Sequence, residues 1–171
     1  MVEIFGVPVQ ALFGQFMLGL VNGSFYAVLS LGLAVIFGML NIINFAHGAL
    51  YMIGAMLAWM ILEYLDLGYW WSLLLAPLAV GVIGILIERL MLQRLYKLDH
   101  LYGLLLTFGL ALMIEGLFRD LYGVAGQPYS IPEEFAGAFN LGFMFLPKYR
   151  AWVIVASLAV CLGTWYLIEK T

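Results

Sequence analysis

The sequence predicts an all-α fold, a polytopic integral membrane helical bundle of about five transmembrane helices. Three observations predict it. Of the 171 residues, 65% are hydrophobic and only 10% charged, against roughly 45 to 50% and about 25% in soluble domains. The mean hydropathy is +1.06, which implies more apolar surface than a soluble domain of this size can hide. Finally, no Asp, Glu, Lys or Arg falls between Glu3 and Glu63. Lipid offers backbone groups no partner outside a helix, so an uncharged stretch of about 20 residues reads as a span.

The 59 residues between those glutamates rise about 1.5 Å each as helix and far exceed one hydrocarbon core of roughly 30 Å. Two spans are therefore placed there. Asn41, Asn44 and His47, punctuated by Gly38 and Gly48, mark the turn, which puts span one near residues 13–38 and span two near 46–62. Span one is long enough to tilt, or to break at Asn22-Gly23-Ser24. Span three, near 70–87, opens on Trp70-Trp71, a pair suited to a membrane–water interface. Glu88, Arg89, Arg94, Lys97 and Asp99 form the next loop, and span four covers about 101–118. A loop rich in Gly and Pro runs from Tyr122 to Tyr149, followed by span five near 151–168, so that residues 1–171 read as a single transmembrane domain.

Small residues recur at four-residue spacing: Gly19 with Gly23, Ser30 with Ala34 and Gly38, Gly103 with Thr107 and Ala111. Such stripes let helix backbones approach closely in lipid. Arg89, Arg94, Lys97 and Lys170 fall on one side of this arrangement, and Arg119, Lys148 and Arg150 on the other. The excess of basic residues, a margin of one, makes the first side cytoplasmic and leaves the N-terminus outside. Glu3 stands where a secretory signal carries a basic residue, and no small-residue cleavage site follows. The first apolar segment is therefore expected to be a retained span.

Several function classes are excluded. The net charge is -3 and the 7 Lys and Arg are scattered, so there is no patch for nucleic acid. Cys161 has no second thiol to pair with and reads as core packing. No catalytic residues emerge, because Ser30 and Ser157 have no identifiable base and the spans hold no carboxylate pair. His47 and His100 lack a second ligand at metal spacing, so no metal site is expected. Without a G-x-x-x-x-G-K-[ST] stretch the chain has no ATP site of that type, and it is expected to carry no cofactor of its own. A secondary transporter or channel subunit is the alternative class. Such proteins usually show intramembrane acids or bases for ion coupling, or a filter loop, and mid-span ionisable residues are nearly absent.

The most polar point of the first sixty residues is Asn41, Asn44 and His47. Polar side chains at membrane depth usually face a bundle interior or an aqueous route, which makes this cluster the first candidate for lining a substrate path. The competing reading is that these residues cap helix ends at the bilayer surface, and spacing alone favours it. Thr107, uncharged and central in span four, is open to either a neighbouring helix or the pathway. Glu115 and Arg119 lie four apart on one helical face and suit a structural ion pair.

The segment from Gly19 to Ala58, GLVNGSFYAVLSLGLAVIFGMLNIINFAHGALYMIGAMLA, resembles the N-terminal signature of the branched-chain amino acid ABC permeases. Asn44-Phe45-Ala46-His47-Gly48, followed by Met52-Ile53-Gly54-Ala55, is its most specific part, with Gly23, Tyr26 and Gly32 matching upstream. Ile87-Glu88-Arg89, then Leu105-Leu106-Thr107-Phe108-Gly109-Leu110, and a loop with Gly126-Gln127-Pro128 are similar too. The resemblance implies one of two permease subunits, in a homodimer or heterodimer, that together form a translocation path by alternating access. Its partners would be two cytoplasmic ATPase subunits that bind the ATP and an extracytoplasmic substrate-binding protein. The location would be a bacterial or archaeal plasma (inner) membrane. The cargo would be branched-chain amino acids, or urea and short amides as in sister branches. It further implies a longer permease of about eight spans, of which this chain would be a C-terminally truncated first part, ending before the T-x-x-G and R-A segment where the ATPase is expected to dock.

Overall fold

The computed structural model describes residues 3–4, 7–40, 44–142 and 145–170. Five helices are long and apolar enough to cross a membrane: α1 Val9–Leu40, α2 His47–Leu65, α3 Tyr69–Leu90, α4 His100–Tyr122 and α5 Lys148–Lys170. α1, α3, α4 and α5 run beyond the stretches assigned from sequence at both ends, whereas α2 begins one residue later than assigned and runs on to Leu65. The Asp99 side chain accepts from Leu101 N at 3.0 Å, so α4 begins at His100. At its other end Gly123, at φ 79°, donates to Arg119 O at 2.9 Å. Asp66 ends α2 in the left-handed region at φ 51°, a conformation that Asp tolerates better than most residues. The break considered at Asn22-Gly23-Ser24 does not occur, and α1 is continuous. There the Ser24 hydroxyl donates to Leu20 O at 2.8 Å, which satisfies it within its own helix.

Two compact units are present, Leu33–Ser130 and Met1–Gly32 with Ile131–Thr171. In the first, α2 and α3 form an antiparallel hairpin through residues 66–68, and α2 also packs on α4. Ala49, Ile53 and Ile61 are the buried residues of α2. Their four- and eight-residue separations keep them on one face of a 3.6-residue helix. A methyl group added at Gly54 would sit 3.5 Å from Val80 Cγ2, so α2 and α3 meet there in ordinary van der Waals contact. On α4 the buried residues are Thr107 and Ala111, two of the three small residues singled out in that span. Glu115 and Arg119, one turn further on, are exposed. In the loop after α3, a short 3-10 turn buries Leu92, and Tyr96 donates to Glu88 Oε1 at 3.1 Å. Burial first, then the Glu88 carboxylate, raises the Tyr96 phenol above its ordinary value.

In the second unit, strands β1 Glu3–Ile4 and β2 Val7–Pro8 pair ahead of α1, and β3 Ala138–Asn140 pairs with β4 Phe145–Pro147 ahead of α5. The segment between α4 and α5, read from sequence as a loop rich in Gly and Pro, thus contains a pair of short strands. Gly137 at φ 91° and Gly142 at φ 80° supply its left-handed turns, and Asn140 Oδ1 accepts from Gly142 N at 2.9 Å. Phe16, Gly19, Gly23 and Ala27 of α1 and Ser157 and Cys161 of α5 line an open groove of about 520 Å³. Gly19 and Gly23 are the first small-residue pair of the sequence, so that stripe borders a groove.

Ser72, in the first turns of α3, is 2% exposed and its Oγ has no hydrogen-bond partner among the described residues. An unsatisfied buried hydroxyl forfeits its hydration for nothing, at a cost of about 1–3 kcal/mol. Ser72→Ala is therefore expected to leave the thermal unfolding midpoint in detergent unchanged or to raise it. A clear fall would show that the hydroxyl has a partner.

Candidate functional site

The turn that joins α1 to α2 carries the polar cluster. Asn41 lies outside the described residues. Asn44, half-buried, folds its side chain back so that Oδ1 accepts from Ala46 N at 3.0 Å, and Asn44 O accepts from His47 N at 3.3 Å. Asn44 thereby closes a turn just ahead of α2, whose N-cap residue, Ala46, has no side-chain cap of its own. Ala46, the residue before α2, is 1% exposed. His47 opens the helix, half-buried, and Gly48 follows, exposed. A methyl group added at Gly48 would meet nothing within 4 Å, so close approach does not require this glycine.

Thr107 faces the turn. It is 1% exposed, its Oγ1 accepts from Phe45 N at 3.2 Å, and the same hydroxyl donates to Leu104 O at 3.1 Å. One side chain on α4 therefore satisfies a backbone N–H of the α1–α2 turn. Beside it the rings of Phe45 and Phe108 meet edge to face at 6.1 Å. At the far end of the same two helices Trp59 meets Tyr122 at 5.7 Å. These contacts are fourteen residues apart on each segment, so α2 and α4 run parallel and in register.

That register fixes a depth. Thr107 lies seven residues past His100, the start of α4, or about 10 Å along the axis. The turn therefore meets α4 about a third of the way along a helix that is long enough to cross the membrane. Irregular backbone at membrane depth is tolerated only where protein covers it or where it lines a watery cavity. At this turn Thr107 and Asn44 supply the acceptors for Phe45 N and Ala46 N, while the Phe45 ring stays half exposed. The spacing of Asn44 and His47 drew attention to the turn, whereas the role of Phe45 as the residue held by α4 was not visible, because its contribution is a backbone N–H.

Tyr26 belongs to the other unit, where it is exposed on α1. Among the described residues no group of three His, Cys, Asp or Glu side chains comes together as metal ligands. Trp59, Tyr64, Phe118 and Tyr122 form an aromatic cluster at the other end of α2 and α4, and Tyr69 meets Tyr129 at 6.4 Å. Aromatic residues gathered at helix ends suit a membrane interface.

Five helices long and apolar enough to cross a membrane define a multi-pass membrane protein. The chain belongs to the family described as branched-chain amino acid transport system / permease component, which matches residues 15–171. It is 30% identical over 135 residues to the high-affinity branched-chain amino acid transport system permease protein LivH of Escherichia coli K12, covering 72% of this chain and 42% of that one. It is 31% identical over 169 residues to the corresponding permease protein BraD of Pseudomonas aeruginosa, covering 92% of this chain and 55% of that one. The chain thus spans about half the length of these relatives. No solved structure matches it.

Removing the Thr107 hydroxyl should orphan the Phe45 N–H. Thr107→Val is expected to destabilise the protein by about 1–3 kcal/mol, read as a lower unfolding midpoint in detergent, while Thr107→Ser retains most of the stability. Equal loss in both variants would mean that methyl packing, not the hydrogen bond, sets the effect.

Proposed function

We propose that this chain forms part of the translocation path of an ATP-binding-cassette importer for branched-chain amino acids or related small amides. The supporting observation is the Asn44–His47 turn, held to α4 by Thr107 and lying within the residues that match the family. In this reading the chain is a permease subunit and not an enzyme. It has no cofactor of its own, and the ATP is bound by two cytoplasmic ATPase subunits. A second permease subunit completes the path and an extracytoplasmic binding protein delivers the substrate. The location is the plasma membrane of a bacterium or archaeon, the inner membrane where there are two.

The mechanism follows from what the turn offers. A pathway for a zwitterionic amino acid needs polar groups at membrane depth whose own backbone is already satisfied. Asn44, Asn41 and His47 are proposed to supply those groups, with Gly48 leaving the first turn of α2 free of bulk. Thr107 positions the turn. Tyr26 is carried as a family-motif position on α1. The protein moves the turn relative to the rest of the path when ATP is bound and hydrolysed by its partners, which changes the side to which the path opens.

Uptake of labelled leucine tests both the class and the site. In cells expressing the permease with its ATPase and binding-protein partners, uptake should stop when either partner is removed. Continued uptake without the ATPase would favour the secondary-transporter alternative. Asn44→Ala combined with His47→Ala should lower uptake about tenfold or more at normal expression, the equivalent of losing one or two hydrogen bonds from the path. Unchanged uptake would remove both residues from it.

A further inference from the structure

The β3–β4 hairpin ends at Pro147, and the candidate span Lys148–Lys170 begins at the next residue. No linker separates them. The base of the hairpin is fixed to the first turns of α5: Lys148 N donates to Gly137 O at 3.1 Å, and the Phe135 ring stacks on Trp152 at 5.5 Å with 19° between planes. Tyr149 meets the same Phe135 at 6.4 Å. This aromatic group at the start of a span lies where Trp and Tyr prefer the interface, so the hairpin is tethered at the height of the bilayer surface.

The composition of the hairpin is unusual for an element in water. No charged residue falls between Glu134 and Lys148. The register pairs Phe139 with Leu146 and Asn140 with Phe145. Opposite residues share a face and successive residues alternate, so Phe139 and Phe145 point to opposite faces. Phe139 is 50% exposed, Leu141 40% and Phe145 70%. A two-stranded hairpin has no third layer in which to bury apolar side chains on both faces.

We propose that the paired strands Ala138–Asn140 and Phe145–Pro147 form a membrane-interface element in the headgroup layer of the leaflet from which α5 starts, inserted lengthwise so that Phe139 on one face and Phe145 on the other both meet the acyl boundary. Its reach agrees. Three residues of strand at about 3.3 Å each extend roughly 10 Å, comparable to the 5–10 Å over which interfacial elements insert. The depth is limited to the interface, because the unpaired strand edges need water that the hydrocarbon core lacks. Lys148 and Arg150 at the base supply cations for lipid phosphates. The hairpin would thereby fix the tilt and height of α5.

The test places single cysteines at Phe139→Cys, Phe145→Cys and Glu133→Cys in a Cys161→Ala background, each spin-labelled in the whole chain in phosphatidylcholine/phosphatidylglycerol vesicles. Exposed Leu141→Cys replaces any variant that fails to insert. Accessibility to oxygen and to a water-soluble nickel complex is then read by power saturation. The oxygen-to-nickel ratio should be several-fold higher at Phe139 and Phe145 than at Glu133. Two outcomes overturn the proposal. Nickel access at the hairpin equal to that at Glu133 would place it in water, as a face for a soluble partner. Shielding from both reagents would mean that protein, such as a second copy, covers it.

Discussion

A backbone N–H carried into a membrane must find an acceptor inside the protein, because lipid offers none. The chain meets this constraint at Phe45. Within α1 and α2 every interior amide bonds to its own helix, but the turn between them cannot do so. Asn44 accepts for Ala46 and Thr107 accepts for Phe45, and with those two acceptors in place the turn can stand about a third of the way along α4. The placement of α2, the register of α2 with α4 and the position of His47 all follow from that anchoring.

The packing around the turn serves the same end. Thr107 brings its hydroxyl within 3.2 Å of the Phe45 amide because it is small and lies with Ala111 on the buried face of α4. A larger residue would hold the helices apart, and an Ala would leave the amide without a partner. At the opposite end the contact of Trp59 with Tyr122 is apolar and aromatic. The turn and α2 are thus held to α4 by a hydrogen bond with a ring contact beside it at one end and by a ring contact at the other.

Much of this was legible in the sequence, for a physical reason. Charge-free runs longer than a bilayer crossing can only be spans, so the five helices follow from where Glu3, Glu63 and the cluster from Glu88 to Asp99 fall. The turn was legible because Asn41, Asn44 and His47 make it the most polar point of the first sixty residues. Helix ends were less legible: the extension of α4 to His100 depends on the Asp99 cap, and α5 starts at Lys148 rather than Ala151 because the hairpin leads straight into it. The hairpin itself escaped notice, since Gly and Pro signal a turn without saying whether the flanking residues pair. Thr107 could be picked out but not assigned, because a threonine in a span serves a helix neighbour or a pathway equally well until its partner is known. That partner was a main-chain amide, which no side-chain pattern announces.

The most direct measurement of the central claim is amide hydrogen exchange at Phe45 with the protein in lipid nanodiscs, compared with the loop amide of Gly126. If Thr107 caps the turn within the bundle, Phe45 exchanges far more slowly than Gly126, and Thr107→Val accelerates it while leaving Trp59 on α2 protected. Exchange at Phe45 as fast as at Gly126 in the unmodified protein would contradict the account, placing the turn in water and leaving α4 without its hold on it.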